Sequence, residues 1–428
     1  MHVDLPFGKR KLPLDLPDGY DYRLLEARSA VPVTDAMAAI EAALDSPIGR
    51  PPLQQFAAGK RSVAISVCDI TRPAPNRMTL PPILERLHRA GIEQDEVTIL
   101  IATGLHRPAT KDEIREIVGA AVAEQYRAVN HHAREKDEHR FLGHTASGTP
   151  VYIDERFMAA DLRITLGLIE PHLMLGFSGG RKLVAPGLAG EDTIKTLHSP
   201  RFMRLAKAVE GSVEDNPLHH ELLEIARMGR HDFLLDVVLS NDRRLAGVYA
   251  GEPVEAHRQG VAHVARTLVE ELDEPVDAVI TTGAGYPLDL TFYQSIKGVT
   301  AAQHIIRPGG RILLVAECQE GCGAPEFREM VRSLTSYEDF LHRILDTPVV
   351  VDQWQLEKLA LVGSKLEVLF YVPGLPPEYQ APLGDRAFSS PDAAVKALTG
   401  GLKPGAKIAV IPEGPYVLAK LRETVGAR

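Results

Sequence analysis

The run "EPHLMLGFSGGRKLVAPGLAG", Glu170 to Gly190, sets Lys182 and His172 among five glycines and two prolines. A lysine in such a loop can hold a phosphate as a compact charge, or form a covalent link if it is desolvated. Ser178, Gly179 and Gly180 leave backbone N–H groups available to an anion and allow a bulky ligand close to the main chain. Comparable polar clusters close other apolar runs. "SVCDITRPAPNR" places Asp69, Thr71 and Arg72 beside Pro73 and Pro75, which stiffen the turn. "IATGLHRPAT" places Gly104, His106 and Arg107, and "DTIKTLHSPRF" carries His198. "TTGAGYPLDLTFYQSIKG" contributes Gly283, Gly285, Asp289, Tyr293, Gln294 and Lys297. A single histidine at a strand end is usually a structural hydrogen-bonder, and Arg72 and Arg107 each admit a surface reading. The adjacent pairs His131–His132 and His219–His220 lie in polar surroundings and are read as surface. Three histidines, a lysine and an arginine at successive strand ends argue together for a site, because imidazole can act as acid or base near neutral pH.

Those clusters need elements to hold them. Near-continuous apolar runs at 62–69, 97–103, 161–169, 233–240, 277–284, 311–317 and 407–414 predict strands. Helical patterns at 77–91, 111–124, 254–272 and 297–307 alternate with them, and Thr110 followed by Glu113 reads as a capping box. Apolar strands alternating with helices predict an α/β protein of two α/β domains with mostly parallel sheets and an interdomain active-site cleft. The expected domains are 1–273, carrying the glycine-rich loop and the histidines, and 274–402, with 403–428 returning to the first.

The chain has 428 residues, 45% of them hydrophobic and 25% charged, as in a globular protein with more than one core. A net charge of -9 gives no basic footprint for nucleic acid. No run approaches the roughly 20 apolar residues of a membrane helix, and the charged, proline-broken N-terminus is wrong for a secretory signal, so a cytoplasmic setting is expected. Cys318 and Cys322, separated by "QEG", read as an ordinary loop in the absence of a second pair, and Cys68 reads as a small core residue. "GFSGGRK" has the wrong spacing for a phosphate loop, and "GAGYPLD" lacks the third glycine of a dinucleotide fingerprint.

The ordered blocks "CDITRPAP", "ATGLHRPAT", "EPHLMLGFSGGRKLVAPG", "TLHSPRF" and "YQSIKG" resemble those of the nickel-dependent lactate racemases and related 2-hydroxyacid racemases and epimerases. The resemblance runs from about Asp69 to Trp354 and includes the terminal "IAVIPEGPYV". It implies a nickel-pincer nucleotide, a pyridinium mononucleotide holding nickel through carbon and two sulfurs, tethered as a thioamide to Lys182. By the same resemblance His198 would be the protein ligand to nickel, and His106 and His172 the paired acid/base residues. Arg72, Gln294 and Lys297 match positions near the substrate carboxylate and cofactor. Asp69 and Thr71 would seat the nucleotide, and Tyr293 and Trp354 match aromatic positions at the site. Cofactor-biosynthesis proteins are implied as partners; the oligomeric state and the side chain of the hydroxyacid stay open. The competing readings are a nicotinamide-dependent 2-hydroxyacid dehydrogenase, which would need the missing fingerprint, and a non-catalytic nucleotide or organic-acid binding protein, which would not need both His106 and His172.

Overall fold

The structure, a computed structural model, describes residues 1–26 and 29–422. The chain forms two compact units, one from Ser29–His198 and Leu205–Thr267, the other from the described parts of Met1–Arg28, Ser199–Arg204 and Leu268–Arg428.

The first unit is built on a six-stranded sheet. Its strands are β1 (Val63–Cys68), β2 (Val97–Ala102), β3 (Arg127–Asn130), β4 (Leu162–Leu168), β5 (Phe233–Leu239) and β6 (Leu245–Gly251), in the spatial order β6-β5-β4-β1-β2-β3. All neighbours are parallel except β5 and β6. Every residue of β1 and β4 is buried, which is why they read as unbroken apolar runs. Ile65, Val67, Ile99, Ile101, Ile164 and Leu166 lie in one core with Leu80, Ile83 and Leu87 of helix α1 (Asn76–Arg89).

Helix α2 (Lys111–Val118) opens on the expected capping box: Thr110 Oγ1 accepts from the Glu113 N–H at 3.3 Å, and Glu113 accepts from the Thr110 N–H at 2.7 Å. The predicted helix over 111–124 is broken at Gly119, whose φ of 91° is outside the helical region, and resumes as Ala120–Gln125. Three further helices matter below: α3 (Glu191–Leu197), α4 (Pro217–Met228) and α5 (Pro253–Leu268). The pattern read as helix to 272 ends at Leu268 because Val269–Leu272 pairs as a strand with Leu418–Leu421.

From β1 the chain steps outward to β2 and β3, then returns to the other side of β1 as β4. Such a reversal opens a crevice beyond the carboxyl ends of the two central strands, where open α/β sheets bind ligands. Asp69–Arg72 follow β1, Gly104–His106 follow β2 and Glu170–His172 follow β4.

The second unit has an all-parallel sheet: β7 (Val276–Thr282), β8 (Ile306–Val315), β9 (Glu367–Tyr371) and β10 (Lys407–Ile411), with Asp21–Leu24 at one edge, in the order β9-β8-β7-β10-(21–24). This corrects the expected domain ends. Residues 403–422 lie with the second unit, because β10 is hydrogen-bonded between β7 and the strand Asp21–Leu24, which lies here too. Periodicity marks a strand but not the sheet edge that will complete its hydrogen bonds.

Helix α6 (Phe292–Ala302) begins before the predicted 297–307 because Thr291 caps it, its side chain accepting from the Gln294 N–H at 3.3 Å. Gly298 on this helix lies against β7 so closely that a Cβ would strike the Thr282 carbonyl oxygen. No helix among the described residues is long and apolar enough to cross a membrane. Gly298→Ala should destabilise the protein by about 1–3 kcal/mol through forced separation of helix and strand. Urea unfolding measures this, and an unchanged midpoint would contradict the close approach.

Candidate active site

The polar residues beyond the first unit's strands form interlocking pairs. Asp69 is 7% exposed, and its Oδ1 accepts from the Thr71 hydroxyl at 2.6 Å and the Thr71 N–H at 3.2 Å. Its Oδ2 lies 2.7 Å from His106 Nδ1. Burial by itself would raise the Asp69 carboxyl, but His106, Thr71 and Arg72 outweigh it and hold the group at about 2. Asp69 is therefore a carboxylate, His106 Nδ1–H donates to it, and Nε2 is the nitrogen left for proton transfer. The His106 side chain is 42% exposed, consistent with a group that must meet a ligand. Arg72 Nε lies 3.2 Å from Glu170 Oε1, joining the ends of β1 and β4.

His172 stands on a two-residue antiparallel pair, Pro171–His172 against Gly176–Phe177. The loop then passes through Ser178, whose hydroxyl donates to the Leu168 carbonyl at 2.7 Å and accepts from the Glu170 N–H at 3.0 Å. Gly179 has φ 80° and ψ −175°, and Gly180 has φ 53°. A Cβ at Gly179 would lie 2.6 Å from Asp236 Oδ2, and one at Gly180 would lie 2.9 Å from His257 Cγ. The Ser178 hydroxyl is engaged with the backbone, and the chain's own buried groups already require glycine at 179 and 180.

Lys182 follows on the single turn Gly180–Leu183, whose other basic residue, Arg181, is 2% exposed. Arg181 faces away from solvent: Nη1 is 2.6 Å from His257 Nε2, and Nη2 donates to the Leu175 and Phe177 carbonyls at 3.0 and 3.2 Å. The arginine thus clamps the hairpin that carries His172 to the turn that carries Lys182. Arg107 is exposed and paired with Glu113 through both Nη atoms, at 2.8 and 2.6 Å.

His198 caps the C-terminus of α3 and is 8% exposed. Its Nδ1 is 2.8 Å from the Ile194 carbonyl, so Nδ1 carries the proton and Nε2 presents a lone pair. Burial, with the charges of Lys182 and His106, pushes it down to about 4 despite the opposing Ile194 bond. Those two charges also place Lys182 and His106 in its electrostatic neighbourhood. His198 is a neutral imidazole at neutral pH, the form that binds a metal. Among the described residues no group of three or more His, Cys, Asp or Glu could hold a metal ion. A donor set of one imidazole fits a metal that arrives with most of its coordination already filled, and a simple zinc site would need more ligands.

The other expected residues lie in the second unit. Tyr293, Gln294 and Lys297 share α6, with Gln294 and Lys297 three apart on one face. Tyr293 Oη accepts from Trp354 Nε1 at 3.0 Å; Trp354 opens helix α7 (Gln353–Gly363). The buried Gln294 Oε1 accepts no hydrogen bond among the described residues, leaving it to a ligand donor. Asp289 is a structural post, its Oδ2 accepting from the Gly8 and Glu317 N–H groups at 2.7 and 3.2 Å.

Family models for the lactate racemase N-terminal and C-terminal domains match residues 7–210 and 272–419. The chain belongs to the lactate racemase family. It is 32% identical over 424 residues to the lactate racemase of Thermoanaerobacterium thermosaccharolyticum, covering 98% of this chain and 99% of that one. The lactate racemase of Lactiplantibacillus plantarum matches to the same extent. The solved lactate racemase apoprotein from T. thermosaccharolyticum superposes with a TM-score of 0.92, covering 99% of this chain and 100% of that one. A Thermotoga maritima protein at 16% identity and a TM-score of 0.70, covering 90% of this chain and 98% of that one, shares the fold. The protein is accordingly an isomerase of the racemase class.

Sequence reasoning missed several partners. The Asp69 carboxylate, expected to seat a nucleotide, also pairs with His106, and no local spacing links two residues so far apart. His131 and His219, read as surface, are 1% and 7% exposed. His131 Nδ1 faces Asp154 Oδ2 at 2.9 Å, and its Nε2 faces the Ala189 carbonyl at 3.0 Å, pinning the loop before α3. Cys68, Cys318 and Cys322 are buried thiols, each pushed up to about 12 by burial.

Burial lowers His219 to about 2 as it lowers His198 to about 4. Unfolded, both would take up protons near 6.5. Their contribution to stability is therefore complete above that pH and is lost as pH falls toward their folded values. Unpaired carboxyls titrate around 4 in the unfolded chain, so buried histidines, with His231 lowered to about 3 among them, dominate the slope between about pH 7 and 5. Urea unfolding should show a loss of about 2 kcal/mol for each such histidine over that window, and His219→Phe should remove its share. A pH-independent midpoint would contradict the neutral assignments.

Proposed function

We propose that this racemase inverts a small 2-hydroxyacid of the lactate type with a nickel-pincer nucleotide tethered through Lys182. The observation that supports it most is the cluster beyond the first sheet: a neutral His198 offering one ring nitrogen, in the electrostatic neighbourhood of Lys182 and of a His106 oriented by Asp69. Lys182 would hold the cofactor covalently and His198 would ligate its metal; when bound, it would supply a reversible hydride acceptor. The two relatives are named lactate racemases, which makes lactate the first substrate to test.

Plain deprotonation at the carbinol carbon of a hydroxyacid would leave a poorly stabilised carbanion. Loss of the hydroxyl proton together with hydride gives instead a planar 2-ketoacid, which can be reduced again from either face. The chain's task is to move one proton for each enantiomer. His106 Nε2 takes it from one, because Asp69 keeps Nδ1 protonated and stabilises the imidazolium that forms. His172 takes it from the other. In an inversion the other imidazole, protonated at the start, gives its proton to the re-formed hydroxyl, so the pair ends with the same number of protons, now on the opposite partner. Arg72, held by Glu170, would bind the carboxylate and keep the ketoacid while it reorients.

Lys182→Ala should abolish covalent loading in a host that makes the cofactor, seen as loss of the added mass on the Lys182 peptide and of bound nickel. His106→Ala and His172→Ala should keep that mass and nickel but lower kcat by about 10²–10⁴. Racemisation unimpaired in both single variants would rule out the paired bases. Asp69→Asn should load normally and lose about tenfold or more in kcat with little change in KM, since it disturbs only the His106 ring.

A further inference from the structure

His198, the candidate metal ligand, stands at the C-terminal end of α3, and the opposite end of that helix is held by directional bonds within the first unit. Because His198 Nδ1 donates to the Ile194 carbonyl of its own helix, the ring is fixed to α3 and Nε2 goes where the helix goes. Seven residues at about 1.5 Å each make an arm of about 10 Å from the first turn to His198. A metal–imidazole bond tolerates about 0.2 Å, which at the end of that arm is a tilt of about 1°. Ile194 and Leu197 are buried, but apolar packing is non-directional and does not fix an angle that closely.

Hydrogen bonds at the start of the helix do. A hairpin, His139–His144 paired antiparallel with Pro150–Asp154, runs beside the segment that leads into α3. The Leu188 carbonyl accepts from the Asp154 N–H at 2.9 Å, and the Gly190 N–H donates to the Tyr152 carbonyl at 2.9 Å. Between them the Ala189 carbonyl faces His131 Nε2 at 3.0 Å, while His131 Nδ1 faces Asp154 Oδ2 at 2.9 Å. Neither side chain of that His131–Asp154 pair has exposed surface, and Arg156 Nε donates to the other Asp154 oxygen at 2.9 Å. In the first turn of α3 the buried Thr193 hydroxyl donates to the Pro150 carbonyl at 2.8 Å and accepts from the Tyr152 N–H at 2.9 Å. Gly190 permits the close approach, since a Cβ there would lie 3.0 Å from Tyr152 Cβ. Neither His131 nor Thr193 is among the groups assigned above to substrate or cofactor.

We propose that His131 and Thr193 are positioning residues for the metal ligand, clamping the start of α3 to the hairpin and so aiming His198 Nε2, a role that rests on the assignment of His198 as that ligand. Buried polar groups satisfied in this way specify one arrangement of the elements they join, where apolar side chains of similar volume would allow several.

Thr193→Val and His131→Phe keep the bulk and remove the bonds. In the apoprotein, amide hydrogen exchange over 190–198 should quicken about tenfold in each variant, while α4 stays within about twofold of the parent. In protein loaded by a host that makes the cofactor, the added mass on the Lys182 peptide should remain, and nickel should leave about tenfold faster under EDTA. Unchanged exchange over 190–198 would overturn the proposal, as would an equal rise in α4, the mark of general loosening. Nickel release at the parental rate from loaded variants overturns this role alone. A parent that gains neither mass nor nickel, beside a control racemase that loads, overturns the His198 assignment and this role with it. If His131→Phe does not fold, the near-isosteric Thr193→Val decides by the same readouts.

Discussion

Asp236 is fully buried at the middle of β5, and its carboxylate fills the space that a side chain at Gly167 or Gly179 would occupy. It holds His257, which holds Arg181, which holds the carbonyls of Leu175 and Phe177. This spine of charge-assisted bonds ties together two segments of the candidate site, the hairpin bearing His172 and the turn bearing Lys182. A buried carboxylate and a buried guanidinium are expensive apart, and removing one partner strands the other. The arrangement is therefore all-or-none: the same constraint that forbids side chains at Gly179 and Gly180 directs Arg181 inward and leaves Lys182 for the other side of the turn.

The rest of the site follows from sheet topology. Because β4 returns beside β1, loops far apart in sequence are brought to one end of the sheet, where the Asp69–His106 hydrogen bond and the Arg72–Glu170 ion pair close across it. Much of this was legible beforehand. Continuous apolar runs located the central strands, and polar clusters at their ends marked the residues now found beyond β1, β2 and β4. Those are local signals, carried by burial on both faces of a parallel sheet.

What could not be read was long-range pairing. Nothing near Asp69 announces His106, and nothing near Gly179 announces Asp236 or His257. The short antiparallel pair His2–Phe7 and Arg10–Asp15 was hidden because Pro6 and Pro13 interrupt an otherwise alternating pattern. The edge position of Asp21–Leu24 depends on which strand offers unpaired hydrogen-bonding groups, a property of the assembled sheet. His131 and His219 were misread for a related reason: adjacent histidines in polar sequence appear solvated until a helix or loop from elsewhere covers one of them.

The internal spine also bears on maturation. Ser178, Gly179, Gly180 and Arg181 are satisfied or constrained by the polypeptide itself, so the shape of the Lys182 turn does not wait for a prosthetic group to mould it. A cofactor delivered late would meet a finished receptacle, with the ordering entropy of the loop already spent during folding, so that attachment becomes a docking event and not a second folding step.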